Sequence, residues 1–454
     1  MTIGKYFGRL FPVVSLAAVI VGATGRNVHG CTNFWVNPQT GEQECLDSSS
    51  GATSSPEAPS NSSPDEQPGS GEQSPPQGIT ISSSSTNQQY KDQTFTILPA
   101  EQLQPRMPRF ANLPEIAVYG SSTTNIVNEQ GAATASDQTG QTVAPDAYGT
   151  SGVPFSTSRV LGGATNPAQA QPYSRTGKLY MAFGGTTFTS VCSASLIGRS
   201  LLLTAAHCVH EYGQGSAGWA TKVRFVPAKD DDSEPYEFFE STRFLIPDSY
   251  FNGTDTCDPQ AEGIVCNNDI ALVALDDNAS GQQAGDLVGY YGYGWNNYSF
   301  STPSSAFASE FGNSLFAAIT QLGYPASHDS GLKMQINTAY GSYVSQNDLE
   351  NIWLGSAMTG GSSGGPWLVN FGEDAIGANY GNASVRNIVV GVTSWGYTDG
   401  LTQLQGASTF GQNSEYPDAS YGFRGAGNIG KLVYDACDNT ALTDWQLQSR
   451  GRCR

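Results

Sequence analysis

Beyond residue 159 the chain is a succession of short apolar runs separated by turn residues. SASLIG, KVRFVPA, DIALVAL and NIVVGVTSW are typical, and several runs are rich in β-branched or aromatic residues. Each has the length of a strand, and none repeats its apolar residues at helical spacing. Near the C-terminus, AGNIGKLVYDAC places Ile429, Leu432 and Val433 on one helical face. The pattern predicts an all-β barrel or sandwich with one short closing helix.

The N-terminus has the pattern of a secretory signal peptide. Lys5 and Arg9 precede an apolar run from Phe11 to Ala23, and small residues come after it. The run is shorter than the roughly 20 residues that span a bilayer. We therefore predict a cleaved signal peptide over residues 1–25 rather than a membrane anchor.

Residues 26–159 differ in composition from the C-terminal part of the chain, and we interpret them as a propeptide or N-terminal extension of a domain at 160–454. From Ser48 to Gln89 the chain is largely Ser, Pro, Gln, Glu and Gly, with Ile79 and Ile81 as its large apolar residues. Such a segment buries too little apolar surface to fold, so we predict disorder there. Further along, TFTILPA has the length of a short strand.

The chain has 8 cysteines, which fall into four close pairs. An even number behind a secretory signal indicates disulfides in a secreted protein, and nearest-neighbour pairing is the simplest connectivity. The net charge of −19 argues against a nucleic-acid partner, because phosphate binding needs an excess of Lys and Arg. N-x-S/T sequons would carry glycans in a glycosylating host. The close pairs are Cys31 and Cys45, Cys192 and Cys208, Cys257 and Cys266, and Cys437 and Cys453.

Three further stretches carry residues that can act together in catalysis. SLLLTAAHCVH contains His207, CNNDIALVAL contains Asp269, and MTGGSSGGPW contains Ser362 and Ser363. A serine hydroxyl is a weak nucleophile until an imidazole takes its proton, and a buried carboxylate fixes the tautomer of that imidazole. Glycine beside the nucleophile lets backbone N–H groups turn towards an oxyanion. Each stretch alone is ordinary, but together they predict acyl transfer.

TAAHC, DIAL and GSSGGP resemble the three catalytic motifs of chymotrypsin-like serine endopeptidases, and SWG resembles the substrate-binding strand of that family. TGGSSGGP, GYYGYG and GYP are similar to the secreted V8-like, or glutamyl endopeptidase-like, members. The resemblance covers roughly residues 160–436. It implies an all-β fold of two six-stranded antiparallel β-barrels with a short C-terminal helix, and a disulfide between Cys192 and Cys208.

The same resemblance implies a role for each motif residue. His207 is the general base, Asp269 orients it, and Ser363 is the nucleophile, because the family pattern G-x-S-G-G-P has a glycine two positions before the nucleophile. The backbone N–H groups of Gly361 and Ser363 form the implied oxyanion hole. The implied substrate-binding residues are Ala357, Met358, Thr359, Ser394, Trp395 and Gly396.

The activation mechanism departs from the family pattern. Arg159-Val160 with LGG directly after it resembles an activation site with cleavage after Arg159, and the alternative is an inter-domain turn. Trypsin-like zymogens have an Asp before the nucleophile, which pairs with the new N-terminus. Here that position is Ser362, so removal of the extension could instead uncover the cleft that the resemblance places between the two barrels.

The substrate preference also departs from known patterns. Ala357 stands where an Asp binds Lys or Arg in trypsin-like enzymes. Met358 and Thr393 stand where a Thr and a His are found in glutamyl-specific members. We therefore expect an uncharged, medium-sized residue at P1, the substrate residue before the cleaved bond.

The sequence thus predicts a secreted, monomeric serine endopeptidase made as a proenzyme, which acts on protein or peptide substrates. An activating protease is a further expected partner, and neither a membrane anchor, a cofactor nor a metal is expected. The main alternative is a catalytically silent secreted homologue acting as a binding or inhibitory module. An esterase of the α/β-hydrolase type also fits G-x-S-x-G, but its order Ser…Asp…His differs from the order here.

Overall fold

The computed structural model describes residues 34–36, 43–45, 78–81, 89–110, 154–160, 166–302, 315–346, 348–372, 385–397 and 403–453. The chain divides into two compact units, Met1–Ser70 and Gly71–Arg454. The first contains an antiparallel pair of strands, β1 (Phe34–Val36) and β2 (Gln43–Cys45). No helix in the described ranges is long and apolar enough to cross a membrane.

The second unit is built mainly from strands, with three short α-helices among its described elements. Strands β3 to β22 are, in chain order, Ile79–Ile81, Thr96–Ile97, Gln104–Pro105, Arg109–Phe110, Phe155–Arg159, Thr176–Ala182, Thr187–Phe188, Ser190–Leu196, Leu201–Thr204, Lys222–Pro227, Phe239–Ser241, Phe244–Pro247, Ala271–Ala274, Gly292–Tyr293, Leu315–Gly323, Gln335–Gln346, Leu349–Gly355, Pro366–Val369, Ile388–Tyr397 and Leu404–Thr409. The helices are α1 (Asp248–Asn252), α2 (Ala284–Val288) and α3 (Gly427–Cys437).

The first large sheet is a curved, open barrel. Six strands lie side by side in the order β12-β8-β10-β11-β15-β14, all antiparallel, and β13 extends it beyond β12. β8, β10, β11 and β15 are buried along their whole length, as continuous apolar runs such as LLLT and ALVA require. Its core includes Leu179, Leu203, Phe225 and Leu272.

The second large sheet closes on itself. β17, β18, β19, β22, β21 and β20 pair in an antiparallel ring of six strands. A bulge between Thr393 and Trp395 bends β21 where it meets β22. Together with α3, on which Ile429, Leu432 and Val433 are buried, the two sheets confirm the predicted all-β fold with a short C-terminal helix.

Strands of the N-terminal extension pair with both barrels. β3 pairs with β14, β4 with β9, β5 with β10, β6 with β21, and β7 with β18. β4 lies within the TFTILPA stretch. β3 lies within the stretch predicted to be disordered. Its Ile79 and Ile81 pack against the barrel core, which provides the apolar contacts that the Ser- and Pro-rich stretch cannot provide itself. Residues 48–77 and 82–88 of that stretch lie outside the described residues.

Three of the four predicted disulfides are present among the described residues. Cys31 lies outside those residues, so its pairing with Cys45 stays a prediction. The observed bonds are Cys192–Cys208, Cys257–Cys266 and Cys437–Cys453.

The C-terminal tail is fastened to the first barrel. Its disulfide joins the end of α3 to Cys453, and the N–H groups of Arg199 and Ser200 donate to the carbonyls of Cys453 and Arg452, both at 2.8 Å. These residues form the turn between β10 and β11, so the tail holds that end of the barrel.

Candidate active site

β11 and β15 bring His207 and Asp269 together. Their antiparallel register pairs Thr204 with Ala271, and His207 and Asp269 lie just beyond this pair at the same end. The Asp269 carboxylate bonds to His207 Nδ1 at 2.7 Å and accepts the backbone N–H of His207 at 2.8 Å. Both side chains are buried. An ionised carboxylate can only accept, so Nδ1 carries the proton and Nε2 is the basic nitrogen.

Asp269 is held in its ionised form. Burial alone would raise its pKa, but the His207 ring and the hydrogen bonds from His207 and Ser394 outweigh burial and lower the pKa below the ordinary value. The Ser394 hydroxyl donates to Asp269 Oδ2 at 2.6 Å and is fully buried. Sequence reasoning placed Ser394 in the substrate-binding strand, whereas its side chain contacts the carboxylate.

The loop that carries Ser363 is seated directly on β10 and β11. The N–H of Ser193 donates to the carbonyl of Ser363 at 2.7 Å. Gly364 has φ +75°, and a Cβ at this position would collide with Thr204 Oγ1 and the Ser193 carbonyl. Only glycine fits between the loop that carries Ser363 and the strand that leads to His207.

Two polar atoms at this site lack partners. Ser363 Oγ and His207 Nε2 are both buried, and neither has a hydrogen-bond partner among the described residues. Buried polar atoms are normally satisfied, so exceptions at one site call for a functional reason. Hydrogen bonds between a nucleophile and its base are often long or unformed before substrate binds, so two unpartnered atoms are compatible with such a pair.

The backbone of Gly361 adopts a conformation that favours glycine. Its φ of +99° is open to glycine, and an added Cβ would lie 2.6 Å from the carbonyl oxygen of Tyr324. The N–H of Gly361 donates to the carbonyl of Arg106 at 3.3 Å. Arg106 belongs to the N-terminal extension, which therefore reaches the predicted oxyanion hole.

The predicted substrate-binding residues differ in burial. Met358 and Trp395 are buried, whereas Ala357 and Thr359 are half-buried. The Trp395 indole donates to Asn351 Oδ1 at 2.8 Å and packs over Gly406, at which a Cβ would collide with the ring. Gly396 lies opposite Gln405 in the β21–β22 pair.

A buried amide and hydroxyl network lies behind this strand. Gln321 Nε2 donates to Gln405 Oε1 at 2.5 Å, and the Ser356 hydroxyl lies within 3.3 Å of the same oxygen. Gln405 Nε2 donates to Ser362 Oγ at 3.0 Å, and Ser362 in turn donates to the Thr359 carbonyl at 2.7 Å. Ser362 is thus part of a neutral network.

The predicted activation site lies at the end of β7, whose last residue is Arg159. The Arg159 side chain is half exposed and forms an ion pair with Asp329. Partial burial alone would raise the pKa of Asp329, but the hydrogen bond from Arg159 contributes to lowering it below the ordinary value. Val160 is buried, and its N–H donates to the carbonyl of Met334 at 3.0 Å.

Sequence reasoning missed two features of this site. The first is the segment at residues 104–108, and the signal available for it was QPRMPRF, in which two prolines favour an extended chain. The second is Gln405, for which a single glutamine in a short strand gives no signal.

Comparison with known proteins matches the family model described as Trypsin to residues 160–410, more than half of the chain. The glutamyl endopeptidase of Bacillus licheniformis is 26% identical over 176 residues, which are 38% of this chain and 44% of that protein. The extracellular metalloprotease of Bacillus subtilis (strain 168) is 27% identical over 128 residues, 28% of this chain and 35% of that protein. The chain thus spans less than half the length of these relatives. The crystal structure of the protease Anisep from Arthrobacter nicotinovorans is 23% identical, and the match covers 53% of this chain and 91% of that one with a TM-score of 0.38.

Proposed function

Because the chain belongs to the trypsin family of chymotrypsin-fold serine proteases, we propose that it is a secreted serine endopeptidase that cleaves protein or peptide substrates through His207, Asp269 and Ser363. One observation carries the proposal. Asp269 holds His207 by two hydrogen bonds, and the two atoms between which the proton would pass, His207 Nε2 and Ser363 Oγ, are both buried and without partners in the described chain.

The proposed reaction follows from this arrangement. Nε2 of His207 takes the proton of Ser363 as Oγ attacks the substrate carbonyl carbon, and Asp269 stabilises the imidazolium that forms. The N–H groups of Gly361 and Ser363 hold the oxyanion, each contributing about 3 kcal/mol. His207 then gives its proton to the leaving amine, and water attacks the acyl-enzyme by the same path.

The protein would be synthesised as a proenzyme, with residues 1–25 as the signal peptide and 26–159 as the extension. Cleavage after Arg159 by another protease would free Val160, but Ser362 in the neutral network offers no carboxylate to the new N-terminus. We therefore infer that the proenzyme is latent because the extension covers the cleft. The hydrogen bond from Gly361 to the Arg106 carbonyl supports this.

The test uses the full-length chain, secreted and processed. Its mature N-terminus is sequenced, cleavage of a peptide library is profiled, and the serine is labelled with a fluorophosphonate. Ser363→Ala should abolish labelling and lower cleavage by more than about a thousandfold. Ser362→Ala is the matched control and should still label.

Each result bears on a separate part of the proposal. Undiminished cleavage by Ser363→Ala would exclude Ser363 as the nucleophile. Processed wild type that neither labels nor cleaves would favour the silent binding homologue, and a mature N-terminus far from Val160 would exclude the activation site.

A further inference from the structure

Residues 104–108 cross the cleft from one barrel to the other. On the first barrel, the N–H groups of Gln104 and Arg106 donate to the carbonyls of Thr189 at 2.8 Å and Val191 at 3.0 Å. On the second, the N–H of Gly396 donates to the carbonyl of Pro108 at 3.0 Å. Between these points lies the bond from Gly361 to the Arg106 carbonyl. The segment therefore occupies the backbone N–H groups of Gly361 and Gly396, two residues predicted to contact substrate.

Met107 occupies the position next to the predicted substrate-binding strand. A Cβ added to Gly396 would lie 2.6 Å from Met107 Cε, so the side chain passes directly over that glycine. Beyond it, Gln405 Nε2 lies 3.1 Å from Met107 Sδ. Gln405 is 1% exposed, and hence this contact is made inside the protein.

Gln405 can present only a donor to this position. Its Oε1 already faces the Gln321 amide and the Ser356 hydroxyl. Nε2 faces Ser362 Oγ and Met107 Sδ. Each described side chain that hydrogen-bonds to Gln405 is neutral. A charged side chain entering here would be desolvated without a counter-ion, whereas an unbranched neutral side chain with an acceptor near its δ position would be satisfied.

The segment runs through the cleft in the direction opposite to a cleavable substrate. His207 must protonate the leaving amine, and the Cys192–Cys208 disulfide ties the turn bearing His207 to β10. A substrate therefore places its C-terminal half along β10. In the segment the N-terminal half lies there, since β5 pairs with β10 in parallel and β6 pairs with β21 in parallel. The peptide bonds of the segment therefore face His207 and Ser363 in the opposite chain direction to those of a substrate.

Contacts on the first barrel anchor the segment. Arg106 forms an ion pair with Glu211 at 2.7 Å, and its guanidinium lies 4.3 Å from the centre of the Phe183 ring. Upstream, Leu103 is buried in an apolar cluster with Phe95 and others. These contacts are independent of Met107, so the segment can stay attached when that side chain is changed.

We propose that Gln405 is the specificity-determining residue of the cleft, selecting P1 methionine or glutamine, and that Met107 of the reversed segment fills this pocket and keeps the proenzyme latent. This inference rests on the proposed function. A P1 Met or Gln brings a neutral acceptor, Sδ or Oε1, to Nε2 of Gln405 on an unbranched stem. Leu has no acceptor, and Glu and Lys are charged.

The pocket is tested with processed enzyme and fluorogenic peptides that differ only at P1. Wild type should prefer Met and Gln over Leu, Glu and Lys. Gln405→Glu keeps the shape but replaces the donor by an acceptor, so kcat/KM for Met and Gln should fall about tenfold and that for Lys should rise, in line with the loss of one hydrogen bond. Gln214→Glu makes the same change at an exposed position and should leave the profile unaltered. An unchanged profile in Gln405→Glu would overturn the assignment.

Latency is tested in the unprocessed full-length chain by the rate of fluorophosphonate labelling. Met107→Asp and Met107→Ala should both be labelled at least tenfold faster than wild type. Met107→Ala introduces no charge and therefore controls for misfolding of the Asp variant. Gln102→Asp, an exposed change just before the segment, should label like wild type. Labelling of both Met107 variants at the wild-type rate would overturn the inhibitory role.

Direction is tested with the synthetic peptide QPRMPRF and processed enzyme. It should inhibit competitively and remain intact, whereas the retro-sequence FRPMRPQ should bind as a substrate does. Reversed binding would be overturned if QPRMPRF were cleaved after Arg or Met. It would also be overturned if the peptide did not inhibit at millimolar concentration, the effective concentration of a tethered segment. If no processed form reacts with the fluorophosphonate or cleaves any peptide, the proposed function itself has failed. If the processed enzyme is active but gives the contradicting results above, only this further inference is refuted.

Discussion

Replacing Ser394 by Ala should weaken the protein in a manner that depends on pH. The Ser394 hydroxyl donates to the buried Asp269 carboxylate at 2.6 Å. A hydrogen bond to a charged group contributes about 1.5–3 kcal/mol, and one pKa unit corresponds to about 1.4 kcal/mol. Loss of the bond should therefore raise the pKa of Asp269 in the folded protein by roughly 1 to 2 units.

The sign follows from the lowered pKa of Asp269. Stability from such a carboxylate is fully present above its unfolded pKa of about 3.9 and is lost as the pH falls through the folded pKa. Ser394→Ala should thus lower the free energy of unfolding by about 1.5–3 kcal/mol at neutral pH. The deficit should narrow as the pH falls through the folded pKa of Asp269 in the variant, where the carboxylate becomes protonated.

The assay is urea unfolding, with disulfides intact and in a Ser363→Ala background to prevent self-digestion. Ser193→Ala is the matched control, because Ser193 is also fully buried but donates to the carbonyl of Gly361 at 2.8 Å, which does not titrate. Its cost should be the same at every pH. A Ser394→Ala deficit that stays the same from neutral pH down to the lowest pH at which the wild type remains folded would refute the reasoning.

Three other perturbations follow from the same geometry. Asp269→Asn should leave KM little changed but lower kcat about 10⁴-fold in the processed enzyme, because an amide donor to Nδ1 selects the wrong tautomer. Gly364→Ala should prevent secretion of folded protein, whereas Gly184→Ala, also at positive φ but with no atom near an added Cβ, should cost about 1 kcal/mol by thermal unfolding. Burial and then Glu415 raise the pKa of Asp255 to about 8, so its contribution to stability should fall as pH rises from about 4 to 8, and Asp255→Asn should flatten that dependence in urea titrations. A steeper dependence in the Asn variant would contradict this sign.

The fold was largely predictable because its signals are local. Apolar runs such as SLLLTAA and DIALVAL became β11 and β15, and AGNIGKLVYDAC became α3. The residues proposed as catalytic came from motifs of a few letters each, which keep their meaning without a structure. The register of β11 and β15 then brings His207 to Asp269.

What the sequence could not provide depends on contacts between distant segments. Met107 meets Gln405 across nearly 300 positions of chain, a separation of 298 residues. No periodicity or composition predicts such a contact. Ser394 illustrates a subtler failure, since the motif placed it on the right strand but could not say that its hydroxyl faces Asp269 rather than substrate.

The strands that the extension contributes to both barrels have a consequence for timing. A single cut after Arg159 would break one covalent bond, but the pairings of β3, β5, β6 and β7 with the barrels do not depend on that bond. The severed piece would remain as a bound companion, and dissociation would come afterwards as a distinct step. Active enzyme would then appear after a lag, set by how fast the piece departs or is itself digested rather than by the cut.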